Sequence, residues 1–258
     1  MLLPGVAGRD VSEPLATYRA EGHARLGPVL TPAALGRLRE RADDLMLGRV
    51  VYPDLFFQHD TSTGRYDDLE FGKGWQGPSL NYRKIEKIER DPVFWELLTN
   101  ELFARIARTV LGDEVTLYRA VLFTKAARGG TVLPWHQDGG RFWGLDRDPE
   151  LQIWVALDDA PADAGCVEVL PRSHLAGLVT PLGGVVPANH AVARDAERDA
   201  VAVPARAGEA LLLHNMMWHR SGVNTTDQPR RAFTACYLRG DTRCTRKKRA
   251  PRVFPRVF

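Results

Sequence analysis

The sequence has few cysteines and no long apolar run, and both absences restrict what the protein can be. Only three of its 258 residues are cysteine (Cys166, Cys236 and Cys244), and their spacing contains no CxxC pair. An odd number of widely spaced cysteines argues against a disulfide framework and against a zinc ribbon. No stretch approaches the roughly 18 apolar residues of a membrane span, and the N-terminus lacks the regions of a signal peptide. We therefore expect a cytoplasmic protein without membrane contacts.

Positive charge is concentrated in one segment. The net charge is +3, but residues 242–258 contain seven Lys and Arg and no acid, which leaves about −4 for the rest of the chain. Such a run is compatible with a nucleic-acid arm, yet the remaining sequence shows no basic stripe and no recognisable nucleic-acid-binding module. We expect a basic tail that is solvated or packs on the surface, and no nucleic-acid partner.

Helical patterns come first along the chain. Residues 30–47 predict an amphipathic helix, with Thr31 as its N-cap and Pro32 in its first turn. A second helical pattern covers residues 91–111. Between the two, residues 52–84 are rich in Gly and Asp without a clear period, which predicts a long loop.

Short β-like runs separated by turns follow, at residues 116–125, 151–157, 166–170, 209–214 and 231–238. Helices followed by strands indicate an antiparallel sandwich or barrel with flanking helices rather than a parallel sheet. We expect one domain over residues 1–258, mainly β, with a helical N-terminal part (about 30–112), a β core (about 116–240) and the basic tail (242–258).

A candidate metal site begins with His136 and Asp138, two residues apart at the edge of a strand-like run. On an extended chain such residues project to the same side, so an imidazole and a carboxylate can reach one ion. Alone the pair is a weak signal, because many polar turns contain it. A mononuclear Fe(II) oxygenase needs two His and one carboxylate on one face of its octahedron, so a third ligand is required.

The third ligand is sought among the other histidines. His219 follows the β-like run that ends at Trp218 and precedes a polar turn, which is where a ligand facing a cavity belongs. His214 competes with it, but residues five apart face opposite sides of a continuous strand, so only one of the two should ligate.

The motifs gain specificity from their order along the chain: HQD (136–138), GCVEVLPRSH (165–174), GEALLLH (208–214), HRSGVN (219–224) and RRA (230–232). This set resembles the phytanoyl-CoA dioxygenase family, a branch of the Fe(II)/2-oxoglutarate oxygenases with a double-stranded β-helix (jelly roll, cupin-like) core. The resemblance covers roughly residues 20–240 and is strongest from 125 to 237.

The resemblance implies roles for particular residues. His136, Asp138 and His219 would hold Fe(II), with 2-oxoglutarate and O2 as co-substrates. An arginine eleven residues after the distal His binds the far carboxylate of 2-oxoglutarate in the family, which corresponds to Arg230, with Arg231 as the fallback. A planar guanidinium suits this role because it can make two charge-assisted hydrogen bonds to a carboxylate. Both arginines could instead be surface residues of an edge strand.

Three further positions resemble co-substrate contacts of the family: Lys125, Trp154 and Ser221. Lys125 could simply terminate a strand, Trp154 could belong to the core, and Ser221 could shape a turn. Related halogenases replace the acid of the HxD pair by a small residue. Because Asp138 is present, the resemblance implies hydroxylation or another oxidation rather than chlorination.

The expected function is therefore a 2-oxoglutarate-dependent dioxygenase that hydroxylates a small molecule and releases succinate and CO2. One alternative is another metal-dependent enzyme, a hydrolase or isomerase, on the same scaffold; Arg230 argues against it, since water activation needs no carboxylate clamp. A non-catalytic binder is the other alternative. Several aromatic residues could line a substrate pocket or belong to the core: Phe56, Phe57, Trp135, Phe142, Trp143 and Trp218.

Overall fold

The computed structural model describes residues 1–188, 196–247 and 250–258. The helices are α1 (Ser12–Glu21), α2 (Pro32–Met46), α3 (Pro92–Leu98) and α4 (Glu101–Leu111). The strands are β1 (His23–Pro28), β2 (Phe56–His59), β3 (Tyr82–Glu86), β4 (Val115–Lys125), β5 (Leu133–Gln137), β6 (Leu151–Ala156), β7 (Val167–Val169), β8 (Gly184–Val185), β9 (Val201–Val203), β10 (Glu209–His214), β11 (His219–Ser221) and β12 (Arg230–Arg239).

These strands form two antiparallel sheets. The larger sheet has seven strands in the order β1-β10-β6-β12-β4-β3-β2, and the smaller sheet has five in the order β8-β5-β11-β7-β9. Strands that are distant in sequence are neighbours in both sheets, as in a jelly roll. The predicted mainly β fold with flanking helices and a double-stranded β-helix core is confirmed.

Side-chain alternation along β6 shows how the layers are built. Ile153 and Val155 pack with the helices in one buried apolar cluster on the outer face of the larger sheet. Trp154 points the other way and packs with Val167 and Val169 of the smaller sheet in a second cluster. Alternate residues of a strand face opposite sides, and β6, which is apolar except for Gln152, is buried on both faces. The space between the sheets is where inward-facing polar side chains can form a site.

The helices follow local capping signals. Thr31 caps α2 as predicted, its Oγ1 accepting a hydrogen bond from the Ala34 N–H at 3.1 Å. The second helical pattern is not one helix but two, because the side chain of Asn100 accepts a hydrogen bond from the Phe103 N–H at 3.0 Å and starts α4 anew. Asn competes with the helix backbone in this way and is therefore favoured at caps.

The elements of the N-terminal part differ from the sequence-based expectation in two respects. The segment 52–84 is not only loop, because β2 and the start of β3 lie in it and extend the larger sheet beyond β4. In addition, α1 and β1 precede the helical part that we expected to begin near residue 30. Strands β1 and β2 are short and partly polar, and their burial depends on partners distant in sequence. They therefore lack the periodic apolar pattern by which a strand is predicted.

The described part of the basic tail packs on the body of the protein. The Val257 N–H donates to the Val115 carbonyl at 2.9 Å, and the Val115 N–H donates to the Phe258 carbonyl at 3.1 Å. Phe254 is buried against Tyr118. Residues 248 and 249 of this segment lie outside the described residues. Within the described ranges no helix combines the length and apolar character needed to cross a membrane.

Candidate active site

Two histidines lie directly opposite each other on neighbouring strands of the smaller sheet. His219 of β11 pairs with His136 of β5, and their ring centroids are 4.0 Å apart. Nδ1 of His136 lies 2.9 Å from the carbonyl of Pro134, and Nδ1 of His219 lies 3.0 Å from the carbonyl of Met217. Since a carbonyl only accepts, each Nδ1 carries the proton and each Nε2 keeps a lone pair for a metal.

Asp138 follows β5 and completes the group. Its backbone N–H donates to the Asn215 carbonyl at 2.8 Å, and the Asn215 amide donates back to the Asp138 carbonyl at 3.1 Å. Its Oδ2 accepts a hydrogen bond from the Gln152 amide at 2.8 Å and lies 3.6 Å from Nε2 of His219. One ligand atom from each of His136, Asp138 and His219 lies within 4.8 Å of the others. The structure therefore brings the three predicted ligands together.

Burial and mutual charge set the protonation of this group. Burial, followed by the nearby charge of His219, lowers the pKa of His136 to about 3. Burial alone would raise the pKa of Asp138, but His219, His136 and Arg119 outweigh it and hold that pKa well below its usual range. Burial would lower the pKa of His219, yet the Asp138 carboxylate, 3.6 Å from Nε2, raises it. A neutral imidazole facing an ionised carboxylate is a donor set that suits a divalent cation.

A cavity of about 540 Å³ lies between the two sheets, and the three ligands open into it. All four residues that were predicted to contact the co-substrate line the same cavity: Lys125, Trp154, Ser221 and Arg230. Trp154 also packs in the apolar cluster between the sheets, so it serves both the core and the cavity wall. Ser221 lies two residues after His219 on β11, and its side chain is buried.

Arg230 and Lys125 form a cationic end of the cavity, because β12 and β4 pair them directly. The Arg230 guanidinium donates through Nη2 to the Gly165 carbonyl at 2.9 Å, while its buried Nε has no hydrogen-bond partner in the described part of the chain. Burial lowers its pKa to about 10. The Lys125 ammonium donates to the Thr131 carbonyl at 2.6 Å, and burial, with the charge of Arg230, lowers its pKa to about 6.

Arg231, the fallback for the carboxylate clamp, faces the other side of β12. Its Nε lies 2.8 Å from Oδ2 of Asp158, and its Nη1 lies 2.5 Å from Oδ1 of Asp43 in α2. Alternation along the strand therefore separates the two arginines: Arg230 lines the cavity, and Arg231 joins the sheet to a helix.

His214 lies away from the three ligands. Its ring packs against His174 at 4.8 Å and Tyr18 at 5.9 Å between centroids, and its Nδ1 accepts a hydrogen bond from the Met216 N–H at 3.1 Å. Burial lowers its pKa to about 4. The separation of His214 from His219 is as expected, but its cause is different: His214 ends β10 in the larger sheet and His219 begins β11 in the smaller sheet, so the two do not share a continuous strand.

The aromatic residues named from the sequence divide between cavity and core. The cavity is lined by Phe56, Phe142 and Trp143. Trp135 and Trp218 instead form a separate buried cluster, and Phe57 belongs to the main core.

Sequence reasoning missed two polar residues that contact Asp138. One is Gln152, whose amide holds the carboxylate, and the other is Arg119, whose Nη2 lies 3.6 Å from Asp138 Oδ1. A signal existed for Gln152, because it is the one polar residue of an otherwise apolar strand, whereas Arg119 lies in a strand that also contains Thr116, Thr124 and Lys125. Gln152 also shares its strand face with Trp154, two residues further along β6.

Comparison with known proteins gives one family. The profile described as phytanoyl-CoA dioxygenase matches residues 18–232. The chain is 30% identical over 153 residues to phytanoyl-CoA dioxygenase domain-containing protein 1 of Danio rerio, an alignment covering 56% of this chain and 52% of that protein. It thus spans about half the length of the curated relatives first matched. A phytanoyl-CoA dioxygenase of Arabidopsis thaliana is 22% identical, with 92% of both chains covered.

Solved structures share the fold. The crystal structure of EctD from S. alaskensis with 2-oxoglutarate and 5-hydroxyectoine superposes with a TM-score of 0.72 at 22% identity, covering 94% of this chain and 81% of that one. At this level of identity the likeness establishes the double-stranded β-helix architecture.

Proposed function

This chain belongs to the phytanoyl-CoA dioxygenase family, and we propose that it is an Fe(II)- and 2-oxoglutarate-dependent dioxygenase. It would oxidise a small-molecule substrate, most simply by hydroxylation, with release of succinate and CO2. One observation carries the proposal: a two-histidine, one-carboxylate group opens into the same cavity as a buried arginine that has no carboxylate partner among the described residues.

The donor set fits iron. His136 and His219 would each supply Nε2 and Asp138 one carboxylate oxygen, the facial triad that leaves positions open on a non-haem Fe(II) ion. When bound, the iron would supply activation of dioxygen and oxidation of a C–H bond. The chain itself fixes the ligands: carbonyls orient both imidazoles, and Gln152 holds the second carboxylate oxygen at 2.8 Å.

Arg230 is the feature that favours 2-oxoglutarate over water activation. A buried guanidinium is costly unless an anion pairs with it. Among the described residues Arg230 has a carbonyl as its hydrogen-bond acceptor but no carboxylate salt bridge, and its Nε is unpaired. A carboxylate of the co-substrate would supply the missing charge, with Lys125 beside it. A hydrolase or isomerase on this scaffold would not require an anion that pairs with Arg230.

Iron binding tests the ligand assignment. Anaerobic titration of the wild-type protein with Fe(II) should give one ion per chain. His219→Ala should weaken binding by more than about 100-fold, since removing a ligand costs more than disturbing its supports. His214→Ala is the matched control, because it removes a buried histidine five residues away that does not face the cavity. An equal loss of Fe(II) affinity in both variants would show that His219 is not a metal ligand.

Co-substrate binding tests Arg230 separately. Calorimetric titration of the Mn(II)-loaded protein with 2-oxoglutarate should show Arg230→Gln weakened by roughly 10- to 150-fold, the range for losing a hydrogen bond to a charged group. Metal affinity should stay unchanged. Arg37→Gln removes an exposed arginine of α2 and should bind as wild type does. Unaltered 2-oxoglutarate affinity in Arg230→Gln would reject the clamp.

A further inference from the structure

Arg119 lies at the opposite end of the cavity from the proposed carboxylate clamp. It is on β4, six residues before Lys125, which is roughly 20 Å along an extended strand. Across the sheet it pairs with Cys236 of β12, which in turn pairs with Gln152 of β6. Arg119 and Gln152 are thus at the level of Asp138, while Arg230 and Lys125 are at the far end.

The guanidinium of Arg119 has free donors. In residues 1–188, 196–247 and 250–258 it makes no hydrogen bond, and the carboxylate of Asp138 at 3.6 Å is its one ion pair. Its side chain is 27% exposed and lines the cavity. The neighbouring Lys84 differs, because its ammonium is bound to the Glu86 carboxylate at 2.6 Å. Arg119 is therefore the cation beside the metal group whose hydrogen-bonding capacity is unused.

Aromatic rings hold this guanidinium in place. Its Cζ lies 4.5 Å from the centroid of the Trp143 ring, and Trp143 stacks on Tyr118 at 4.5 Å between centroids. The Tyr118 hydroxyl donates to the Trp143 carbonyl at 3.1 Å, and Cζ of Arg252 in the tail lies 4.9 Å from the centroid of the Tyr118 ring. A cation–π contact orients an arginine without using its N–H groups.

The charge balance of the loaded site leaves Arg119 uncompensated. A divalent ion with Asp138, a doubly charged 2-oxoglutarate and Arg230 sum to zero. Lys125 lies roughly 20 Å from Arg119 along β4, at the far end of the cavity, so it does not enter the balance beside the metal group. Glu86 forms an ion pair with Lys84, and Arg220 forms ion pairs with Glu168 and Glu197. Arg83 and Asp60 of the cavity lining carry opposite charges. Asp67 and Glu70 lie on an exposed loop, where water screens their charges. One positive charge therefore remains beside the metal group.

We propose that the substrate carries an oxyanion group, a carboxylate or a phosphonate, and that Arg119 binds it beside the metal. This inference rests on the proposed function, because the charge balance assumes bound metal and 2-oxoglutarate. Two N–H groups of a guanidinium match two oxygens of such an anion. The end of the substrate that carries the anion would then lie against Arg119, Trp143 and Gln152, on the opposite side of the metal from Arg230.

The test uses two small probes, acetate and methylphosphonate, on protein loaded with Mn(II) and saturated with 2-oxoglutarate. Paramagnetic broadening of the probe methyl resonance reports binding near the metal. Wild type should broaden at least one probe, and the better bound of the two identifies the oxyanion. Arg119→Gln should weaken that binding by about tenfold or more. Acetamide, neutral and of similar size, should show no broadening, and Arg37→Gln should behave as wild type.

Three results would overturn the proposal. Broadening that is equal in wild type and Arg119→Gln would show that the anion binds the metal directly. No broadening in wild type, with 2-oxoglutarate binding intact, would show that no anion site exists. If Arg119 only supports Asp138, Arg119→Gln would weaken metal binding and leave anion affinity unchanged.

Trp143→Leu gives a second variant, which removes the ring under the guanidinium without touching Asp138. This variant should weaken binding of the anion but not binding of the metal. A protein that binds neither Mn(II) nor 2-oxoglutarate would instead reject the proposed function itself, so the two failures are distinguishable.

Discussion

Of the neighbouring arginines Arg230 and Arg231, Arg231 has a structural role. Its guanidinium joins β12 to Asp158 and Asp43, and all three groups are at least partly buried. Removing one partner of a buried ion pair leaves the other charge uncompensated, which is more costly than losing an exposed pair.

We predict that Arg231→Gln lowers the free energy of unfolding by about 3 kcal/mol without changing 2-oxoglutarate affinity in the protein that remains folded. Urea unfolding and calorimetry would check the two parts. Arg230→Gln should show the reverse pattern, because it removes an unpaired buried charge from the cavity. Loss of co-substrate binding in Arg231→Gln at unchanged stability would contradict the assignment.

Lys125 makes stability depend on pH. Its pKa of about 6 in the folded protein lies below its usual value of 10.5, because burial disfavours the ammonium. Between these two values the unfolded chain holds a proton that the folded chain lacks, so stability rises with pH. Without ligands, wild type should therefore gain stability relative to Lys125→Met between pH 6.5 and 9. Parallel urea curves at the two pH values would test this, and a constant difference would show that Lys125 stays protonated.

At the residue scale, the sequence could predict the proposed metal ligands better than the residues that support them. His136, Asp138 and His219 sit in ordered motifs, and strand alternation separates Arg230 from Arg231 once β12 is placed. Arg119 and Gln152 carry no motif. Their role depends on β4, β12 and β6 being neighbours, a long-range fact that local pattern does not contain.

At the element scale, close backbone approach shapes the rim of the site. Gly183 has φ of 72°, and a Cβ there would overlap the carbonyl oxygen of Gly139, next to Asp138. Gly184 has φ of 76° with open space around it. Strand β8 pairs Val185 with His136, so the contact supports one of the proposed metal ligands.

We predict that Gly183→Ala costs more stability than Gly184→Ala. The control carries only the penalty of a left-handed backbone, about 1 kcal/mol, whereas Gly183→Ala must also separate two chain segments. Its Fe(II) affinity should fall too, since β8 would shift against His136. Thermal unfolding and metal titration would measure both effects. Equal stability of the two variants would show that the segments at Gly139 and Gly183 can move apart without a cost in stability.

The elements that sequence could predict are those with local signals. The cap at Thr31 and the apolar period of α2 are readable along the chain, and the interruption at Asn100 carries a cap residue that the apolar pattern obscures. By contrast β2 and β3 are short and half-polar, and they become strands through β4. Pairing with a distant strand, rather than propensity, decides such segments.

At the scale of the whole molecule, the two sheets supply different parts of the site. The main apolar core lies between the helices and the outer face of the larger sheet. The inner face of that sheet can therefore carry charged groups such as Arg119, Lys125 and Arg230 without disrupting this core. The smaller sheet supplies the two histidines from adjacent strands. The metal group and the cationic end of the cavity therefore come from different layers, and only the closed sandwich brings them together.

Together these layers would form a site for Fe(II) chelated by 2-oxoglutarate. The most direct measurement is the anaerobic visible absorption spectrum after addition of Fe(II) and 2-oxoglutarate, where the chelate has a weak charge-transfer band. Wild type should show the band, His219→Ala should lose it, and Arg230→Ala should need much more 2-oxoglutarate to reach it. Absence of both the band and 2-oxoglutarate binding in wild type would contradict the claim.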